Sequence, residues 1–217
     1  MEKQGYLSRS AFITFEGCEC SGKSTQSKLL YKWLGSNNKP AILTKEPGGT
    51  ETAEELRHII LNKDKRLDPR SELMLLLAAR IEHVRDIILP ALKDGTTVVC
   101  DRFADSSMAY QSYGHGLPAA FVKLLHKNLL NDIQPAITFV LDIKFDTFGR
   151  RLAEKHSKDP GNDRYESFSE DFHKKVMHGF REIAKQNAKR CILIDANNKS
   201  IQEIHQEIIT LVQENAI

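Results

Sequence analysis

The chain has 217 residues, 41% of them hydrophobic and 28% charged, and 31 Lys and Arg against 29 Asp and Glu leave a net charge of +2. This composition is typical of a single soluble domain, and the near balance of charge argues against a protein that binds a nucleic acid polymer through bulk positive charge. The most apolar stretch, residues 73–79, is much shorter than the roughly 20 residues that cross a membrane.

Four cysteines, Cys18, Cys20, Cys100 and Cys191, are too few for a disulfide framework in a chain of this length. Cys18 and Cys20 lack a second Cys or His pair at a spacing that suits zinc, so we expect reduced thiols. Residues 1–10 carry charge without a following apolar run, which predicts no secretory signal. These observations favour a cytoplasmic protein without a membrane partner.

Short apolar strands alternate with helical patterns along the chain. Strands are predicted at residues 11–16, 41–45, 96–101, 136–141 and 191–195. Helices are predicted at residues 23–34, 52–61, 71–92 and 201–212, with a further helical segment over 146–189. This alternation predicts an α/β fold of three layers, in which helices flank a five-stranded, mostly parallel sheet.

A Pro-Gly break at residues 157–162 interrupts the long helical segment between the last two strands. We interpret it as a mobile loop inside a helical hairpin, because no internal repeat or composition shift marks a domain boundary there. The sequence therefore predicts one domain over residues 1–217, with a helical lid at approximately 150–167.

Residues 17–24 match the phosphate-loop pattern G-x-x-x-x-G-K-[ST] and lie between a predicted strand and a predicted helix. The glycines allow a tight loop whose backbone N–H groups surround phosphate oxygens, and the helix dipole adds positive potential. Lys23 brings a positive charge, and the Ser24 hydroxyl can reach Mg²⁺. The pattern predicts a P-loop NTPase-type fold with these ATP-binding residues: Gly17, Cys18, Glu19, Cys20, Ser21, Gly22, Lys23, Ser24 and Thr25.

The residues around this loop separate a kinase from other nucleotide-binding proteins. The segments 62–65 and 198–201 begin with Asn-Lys but lack the Asp that reads guanine, which disfavours a GTPase switch. Strand 96–101 ends at Asp101, which can hold Mg²⁺ through water, but Arg102 follows where an ATP-driven motor usually has a catalytic Glu. A cation at this position favours phosphoryl transfer to a second anion.

The positions of the other basic residues predict different roles for them. Arg102 stands at the carboxyl end of a central strand, where α/β proteins bind ligands, so we favour a functional role for it. Arg80 lies in an apolar helical segment and faces either solvent or a polar site. Taken alone, Arg57, Lys155 and Lys158 are interpreted as solvated surface charges.

From about residue 11 to 211, the chain resembles the thymidylate kinase family in its bacterial form. The resemblance rests on ordered motifs: FITFEG and GKST within 12–25, KEPGGT at 45–50, AAR at 78–80, DRF followed by SS and AYQ within 101–111, DRYE at 163–166, and IDAN at 194–197. It implies a nucleoside monophosphate kinase that uses ATP and Mg²⁺ to phosphorylate dTMP to dTDP, on the route to dTTP. It also implies a homodimer.

The resemblance also implies roles for individual residues. Glu19 would contact the 3′-hydroxyl of the acceptor sugar, Arg57 the acceptor phosphate and Arg80 the thymine edge, whereas Arg102 would bridge the two phosphates. The implied dTMP-binding set is Glu19, Arg57, Leu76, Arg80, Arg102, Ser107, Tyr110 and Gln111. The segment Asp195, Ala196 and Asn197 would approach adenine, and Ser24 and Asp101 would hold Mg²⁺.

Two positions depart from the family pattern. Cys20 stands where many bacterial members have Gly and eukaryotic members have Arg, so the lid must supply a cation, for which we predict Arg151 and Arg164. Together with Lys23 and Arg102, they make up the predicted catalytic residues. Leu76 stands where Phe often stacks on thymine, which leaves only aliphatic packing on the base.

Three alternatives remain open from the sequence. A kinase for a related nucleotide or for a deoxynucleoside would share the phosphate loop. An ATPase switch would hydrolyse ATP without any acceptor. A non-catalytic nucleotide-binding subunit would transfer no phosphoryl group.

Overall fold

A computed structural model describes residues 11–130, 133–158 and 163–215. Its five strands form one sheet in the order β2-β3-β1-β4-β5, and every neighbouring pair is parallel. The strands are β1 (Phe12–Glu16), β2 (Ala41–Lys45), β3 (Thr97–Asp101), β4 (Ile137–Asp142) and β5 (Cys191–Asp195). The predicted fold class is confirmed.

Nine α-helices are present in the described part of the chain and cover both faces of the sheet. They are α1 (Lys23–Ser36), α2 (Glu51–Leu61), α3 (Pro69–His83), α4 (Leu89–Lys93), α5 (Ala104–Ser107), α6 (Ala119–Leu129), α7 (Phe145–Lys158), α8 (Glu170–Gln186) and α9 (Ile201–Glu214). Two π-helical segments, Val84–Ile88 and Met108–Gly114, and one 3₁₀ turn, Arg164–Ser167, connect some of them.

The core is divided by the sheet into two apolar layers. On one face, Leu73 and Leu77 of α3 pack with Val176 of α8 in a buried cluster. On the other face, a second cluster joins Leu30 of α1 with Ile208 of α9. Burying both faces of a parallel sheet in this way explains why its central strands are continuous apolar runs.

The parallel register brings the carboxyl ends of the strands to one edge of the sheet. Asp101 of β3 pairs with Phe15 of β1 and Lys45 of β2, and Glu16 pairs with Val140 of β4. The loops that leave these strands therefore meet at this edge, where open α/β sheets bind their ligands.

Two regions differ from the predicted helices. The predicted helix 71–92 is helical throughout but is divided by the π-helical segment in front of Pro90, which has no N–H to donate to the preceding turn. No element was predicted over residues 102–135, yet α5, a π-helical segment and α6 lie there. Residues 107–111 of this region are all buried, polar and apolar side chains alike, so the sequence shows no one-sided apolar pattern of helical period there.

The predicted lid lies partly outside the described residues, because 159–162 of the Pro-Gly break are not among them. After the break, Asp163 forms an antiparallel bridge with Asn62 at the end of α2. Residues 1–10, where the absence of a secretory signal was predicted, also lie outside the described part. No described helix is long and apolar enough to cross a membrane.

Candidate active site

The phosphate loop leaves the buried strand β1 and enters α1 at Lys23. Its backbone requires positive φ at three positions, Gly17 (135°), Cys20 (58°) and Gly22 (103°). A Cβ at Gly17 would lie 2.5 Å from the carbonyl oxygen of Leu141, so glycine is required there by space as well as by conformation. Backbone conformations of this kind are typical of loops whose N–H groups bind anions such as phosphate.

Lys23 lies inside the loop rather than in solvent. Its Nζ donates to the carbonyl oxygen of Cys18 over 2.6 Å and is 3.5 Å from Ser21 Oγ. Burial, followed by the positive charge of Arg102, lowers the pKa of Lys23 below its ordinary value. A buried ammonium held against neutral carbonyls is a strong site for an anionic phosphate.

Ser24 and Asp101 form the predicted metal position. Ser24 Oγ donates to Asp101 Oδ2, while Asp101 Oδ1 is buried without a hydrogen-bond partner among the described residues. A hydroxyl beside a carboxylate oxygen with no partner suits Mg²⁺, which usually takes one or two protein ligands and completes its shell with water and phosphate. No group of three or more acidic, His or Cys side chains in the described chain forms a metal cage of its own.

Arg102 follows β3 with a φ of 72°, a backbone conformation that side chains other than glycine rarely adopt. Its guanidinium donates to the carbonyl oxygen of Gly17 over 3.0 Å and to Glu19 Oε1 over 3.1 Å. Glu16 supports this conformation, because its carboxylate accepts from the backbone N–H groups of Phe103 (2.8 Å) and Ser106 (3.1 Å). Arg102 is thereby fixed between the phosphate loop and the hydroxyl of Tyr110, which accepts from it over 3.1 Å.

Glu19 presents one free oxygen. Oε1 accepts from Arg102 and from the hydroxyl of Tyr110, but Oε2 is buried, has no hydrogen-bond partner among the described residues and lies 3.8 Å from His173 Nδ1. Burial alone would raise the pKa of Glu19, but the charges of Arg102 and Lys23 outweigh it and hold the pKa below its ordinary value. The side chain is therefore a carboxylate that can accept a ligand hydroxyl.

Arg80 faces a polar site and not solvent, the two possibilities that the sequence left open. Its Nε donates to Glu46 Oε2 (2.5 Å), Nη1 lies 2.9 Å from Ser107 Oγ and 2.7 Å from His126 Nε2, and Nη2 donates to the carbonyl oxygen of Phe103 (3.0 Å). A guanidinium has five N–H donors. These contacts use four of them and leave one for a ligand.

These groups line a cavity of about 250 Å³ at the carboxyl edge of the sheet. Arg57 lies on its wall and donates to the carbonyl oxygen of Pro47 over 2.7 Å. The predicted site residues that line the cavity are Glu19, Cys20, Lys23, Ser24, Arg57, Leu76, Arg80, Asp101, Arg102, Ser107, Tyr110 and Gln111. Side chains from distant parts of the sequence thus meet in one cavity.

The family model described as thymidylate kinase matches residues 15–208. The chain belongs to the thymidylate kinase family. It is 44% identical to a thymidylate kinase of Wolbachia pipientis subsp. Culex pipiens, with 93% of this chain and 95% of the relative covered. It is 38% identical to that of Kosmotoga olearia, with 91% and 93% covered.

A solved structure of this family agrees with the fold. The crystal structure of thymidylate kinase from Ehrlichia chaffeensis superposes with a TM-score of 0.75 and 36% sequence identity. The match covers 94% of this chain and 99% of that one. The chain therefore shares the overall fold of that thymidylate kinase.

The basic residues of the lid lie in different surroundings. Arg164 is buried, pairs with Glu72 Oε2 and donates to the carbonyl oxygen of Ile60 over 3.0 Å, and it is not among the residues that line the cavity. In the described arrangement its guanidinium docks the lid on Glu72, and its role as a catalytic lid cation stays a prediction. Lys155, interpreted from the sequence as a surface charge, lines the cavity and pairs with Glu166.

Arg151 bridges two loops instead of lining the cavity. Its guanidinium donates to the carbonyl oxygens of Cys20 (3.2 Å) in the phosphate loop and Ala196 (3.0 Å) after β5. The loop after β5 is held together by Asn197, whose backbone N–H donates to Asp195 Oδ1 over 3.0 Å. The predicted adenine segment thus lies next to the phosphate loop, joined to it through Arg151.

Several buried polar residues beside Arg80 were not among the predicted site residues, although Glu46 lies in the motif at 45–50. Glu46 accepts from Arg80 and is 2.9 Å from His83 Nδ1, while His126 reaches Arg80 from α6. Each of these contacts spans 30 or more residues.

The histidine that contacts Arg80 predicts a pH-dependent stability. Burial and the charge of Arg80 lower the pKa of His126 to about 3, so the folded protein holds it neutral. Because the unfolded chain protonates it near its ordinary pKa, this stability is present above about pH 6.5 and is lost as pH falls towards 3. The stability advantage of the wild type over His126→Gln should shrink by about 1.4 kcal/mol per pH unit below 6.5.

Denaturant unfolding at pH 8, 6 and 5 measures this difference. Gln keeps an oxygen that can accept from Arg80, so the variant should keep the structure of the wild type. The two proteins should differ in how their free energy of unfolding depends on pH. Parallel curves for the two proteins across this range would contradict a neutral, buried His126.

Proposed function

We propose that the protein transfers the γ-phosphoryl group of ATP to dTMP and releases ADP and dTDP, a step towards dTTP. The observation that carries this proposal is the position of Arg102, whose guanidinium contacts Gly17 and Glu19 of the phosphate loop and also the hydroxyl of Tyr110 on the acceptor side. A cation held between a donor site and an acceptor site suits transfer between two phosphorylated molecules.

On the donor side, the phosphate loop and the N-terminus of α1 bind the ATP phosphates, with Lys23 at the β- and γ-phosphates. The segment from Asp195 to Asn197 approaches adenine. Ser24 and Asp101 hold Mg²⁺, which when bound neutralises charge on the phosphate oxygens.

On the acceptor side, the cavity offers a separate contact to each part of a deoxynucleotide. Arg57 binds the phosphate, Glu19 accepts the 3′-hydroxyl, and the remaining donor of Arg80 meets a carbonyl oxygen of the base. Leu76 packs on the base face. Ser107 and Tyr110 line the base and the sugar.

The reaction then depends on positioning and charge. The acceptor phosphate is an anion near neutral pH, so no strong general base is required. Arg102 and Lys23 balance the negative charge that spreads over the transferred group, and fixed cations do so without reorganising during the step. Closure of the lid excludes water, which limits ATP hydrolysis.

For the lid cation we propose Arg151 together with Lys155. Lys155→Met should lower kcat about tenfold with a small change in KM for dTMP, because its charge would be required mainly as the phosphoryl group moves. Lys158→Met, at the exposed end of the same helix, is the matched control and should retain wild-type kcat. Equal kcat values for the two variants would remove Lys155 from the mechanism, and a neutral Arg151→Met would do the same for Arg151.

An acceptor panel with ATP and Mg²⁺ tests the function itself. ADP release should require an acceptor and should be fastest with dTMP, ahead of dUMP, dCMP and thymidine. ADP release without any acceptor would indicate an ATPase switch instead. Preference for thymidine would indicate a nucleoside kinase, and no release at all would indicate a binding subunit.

We also propose that the protein is a cytoplasmic homodimer. Its cysteines are free, and α6 exposes Leu124 and Leu129, which a second copy could cover. Light scattering should give twice the chain mass of 24.6 kDa. A mass of one chain would reject the dimer.

A further inference from the structure

Glu72, in the first turn of α3, is the completely buried acid that joins the lid to the base side of the cavity. Its Oε1 accepts from Gln111 Nε2 and from the hydroxyl of Tyr165, each over 2.7 Å. Its Oε2 accepts from Arg164. One carboxylate therefore receives donors both from the lid segment and from the cavity wall.

Both oxygens of Glu72 act as acceptors, because they face the guanidinium of Arg164, the hydroxyl of Tyr165 and the amide of Gln111. An amide that contacts such a carboxylate must turn its nitrogen towards it. Gln111 is consequently oriented with Nε2 on Glu72, which leaves its Oε1 directed elsewhere. That oxygen is buried and has no hydrogen-bond partner among the described residues, although Gln111 lines the cavity.

A buried amide oxygen without a partner needs a donor from the ligand. A thymine ring supplies one, because its N3 carries a hydrogen, whereas N3 of cytosine is a bare acceptor. Sites built to bond a substrate N–H discriminate strongly against an analogue that lacks it, because the protein group would then stay unpaired. The orientation of Gln111 therefore favours a pyrimidine whose N3 carries a hydrogen over one whose N3 does not.

We propose that Glu72 is a positioning residue that sets the selectivity for a protonated pyrimidine N3 by fixing the amide of Gln111. The proposal rests on the proposed binding of dTMP in this cavity. Glu72 touches no substrate itself and acts through Gln111. The same carboxylate also accepts from Arg164 and Tyr165 of the lid segment, so Glu72 contributes both to lid docking and to base selection.

Glu72→Gln tests this with little change in shape. A glutamine at 72 can present either its oxygen or its nitrogen, so Gln111 is free to reverse its amide. We expect the ratio of dissociation constants for 5-methyl-dCMP and dTMP to fall at least about tenfold, with the affinity for ATP nearly unchanged. These two nucleotides share the 5-methyl group and differ only in the N3–C4 part of the ring.

Arg164→Lys is the control, because it disturbs the lid contact but keeps a cation beside the carboxylate; its ratio should stay within about twofold of the wild type. If Glu72→Gln does not fold, the Glu72→Gln/Arg164→Met variant removes both charges of the buried pair and is measured in the same way. An unchanged ratio in a folded variant, or an equal loss of affinity for both nucleotides, would overturn the proposal.

Calorimetric binding keeps this test separate from that of the proposed function. A wild type that binds dTMP selectively but transfers no phosphoryl group would contradict the function and leave the selectivity measurable. A wild type that binds 5-methyl-dCMP more tightly would contradict the assigned orientation of Gln111.

Discussion

Arg102→Met should lower kcat/KM for dTMP by about 10²–10³-fold, because it removes a fixed cation from the place where charge develops during transfer. The guanidinium contacts Gly17 and Glu19 in the phosphate loop and the hydroxyl of Tyr110 on the acceptor side, so its loss affects both halves of the site. Arg102→Lys should recover only part of the activity, because an ammonium cannot make the same forked contacts.

Coupled detection of ADP at varied dTMP measures this effect. Arg70→Met, which removes an exposed arginine at the start of α3, is the matched control and should leave kcat/KM unchanged. Circular dichroism checks that the variant is folded, since Arg102 also occupies a strained backbone position. Wild-type kcat/KM in a folded Arg102→Met variant would reject the bridging role.

Lys23→Met should weaken ATP binding and lower kcat together, with a combined loss of about 10²-fold or more in kcat/KM for ATP. The Nζ is buried inside the phosphate loop and contacts only Cys18 and Ser21 among the polar groups described around it. Methionine fills the same volume without the charge, so the loop should keep its shape while losing its attraction for phosphate.

Lys28→Met, an exposed lysine on the same helix, is the control for general loss of positive charge. Kinetics at varied ATP and titration of ATP binding should show the effect in Lys23→Met alone. Binding of dTMP in the absence of ATP should remain close to that of the wild type. Equal losses in both lysine variants would mean that the effect comes from net charge rather than from the loop.

The fold and the phosphate loop could be predicted because both are encoded locally. Strands such as Phe12–Glu16 are buried along their whole length and mostly apolar, as expected of a parallel sheet with both faces buried. The loop depends on glycines at Gly17 and Gly22, where backbone conformation and space exclude other residues. Neighbouring residues in the chain suffice for both conclusions.

The sequence did not reveal which basic residues of the lid line the cavity and which are buried in ion pairs. Arg164 and Lys155 lie nine residues apart in the same predicted lid, yet the first is buried on Glu72 and the second lines the cavity. Glu72 precedes Arg164 by 92 residues, and no local pattern announces that pairing. The ordered family motifs suggested Arg164 as a cation near phosphate because they record position in the chain, not the partner of a side chain.

The layered α/β class and the phosphate loop were thus determined by the sequence. The tertiary structure alone decided which cations face the cavity and which are neutralised inside the protein. Arg80 shows the reason: four of its five donors are taken by groups from four other elements and loops. Each N–H donor of a guanidinium can be paired with a residue that is distant in the sequence. Only the folded chain therefore shows which donor remains for a ligand.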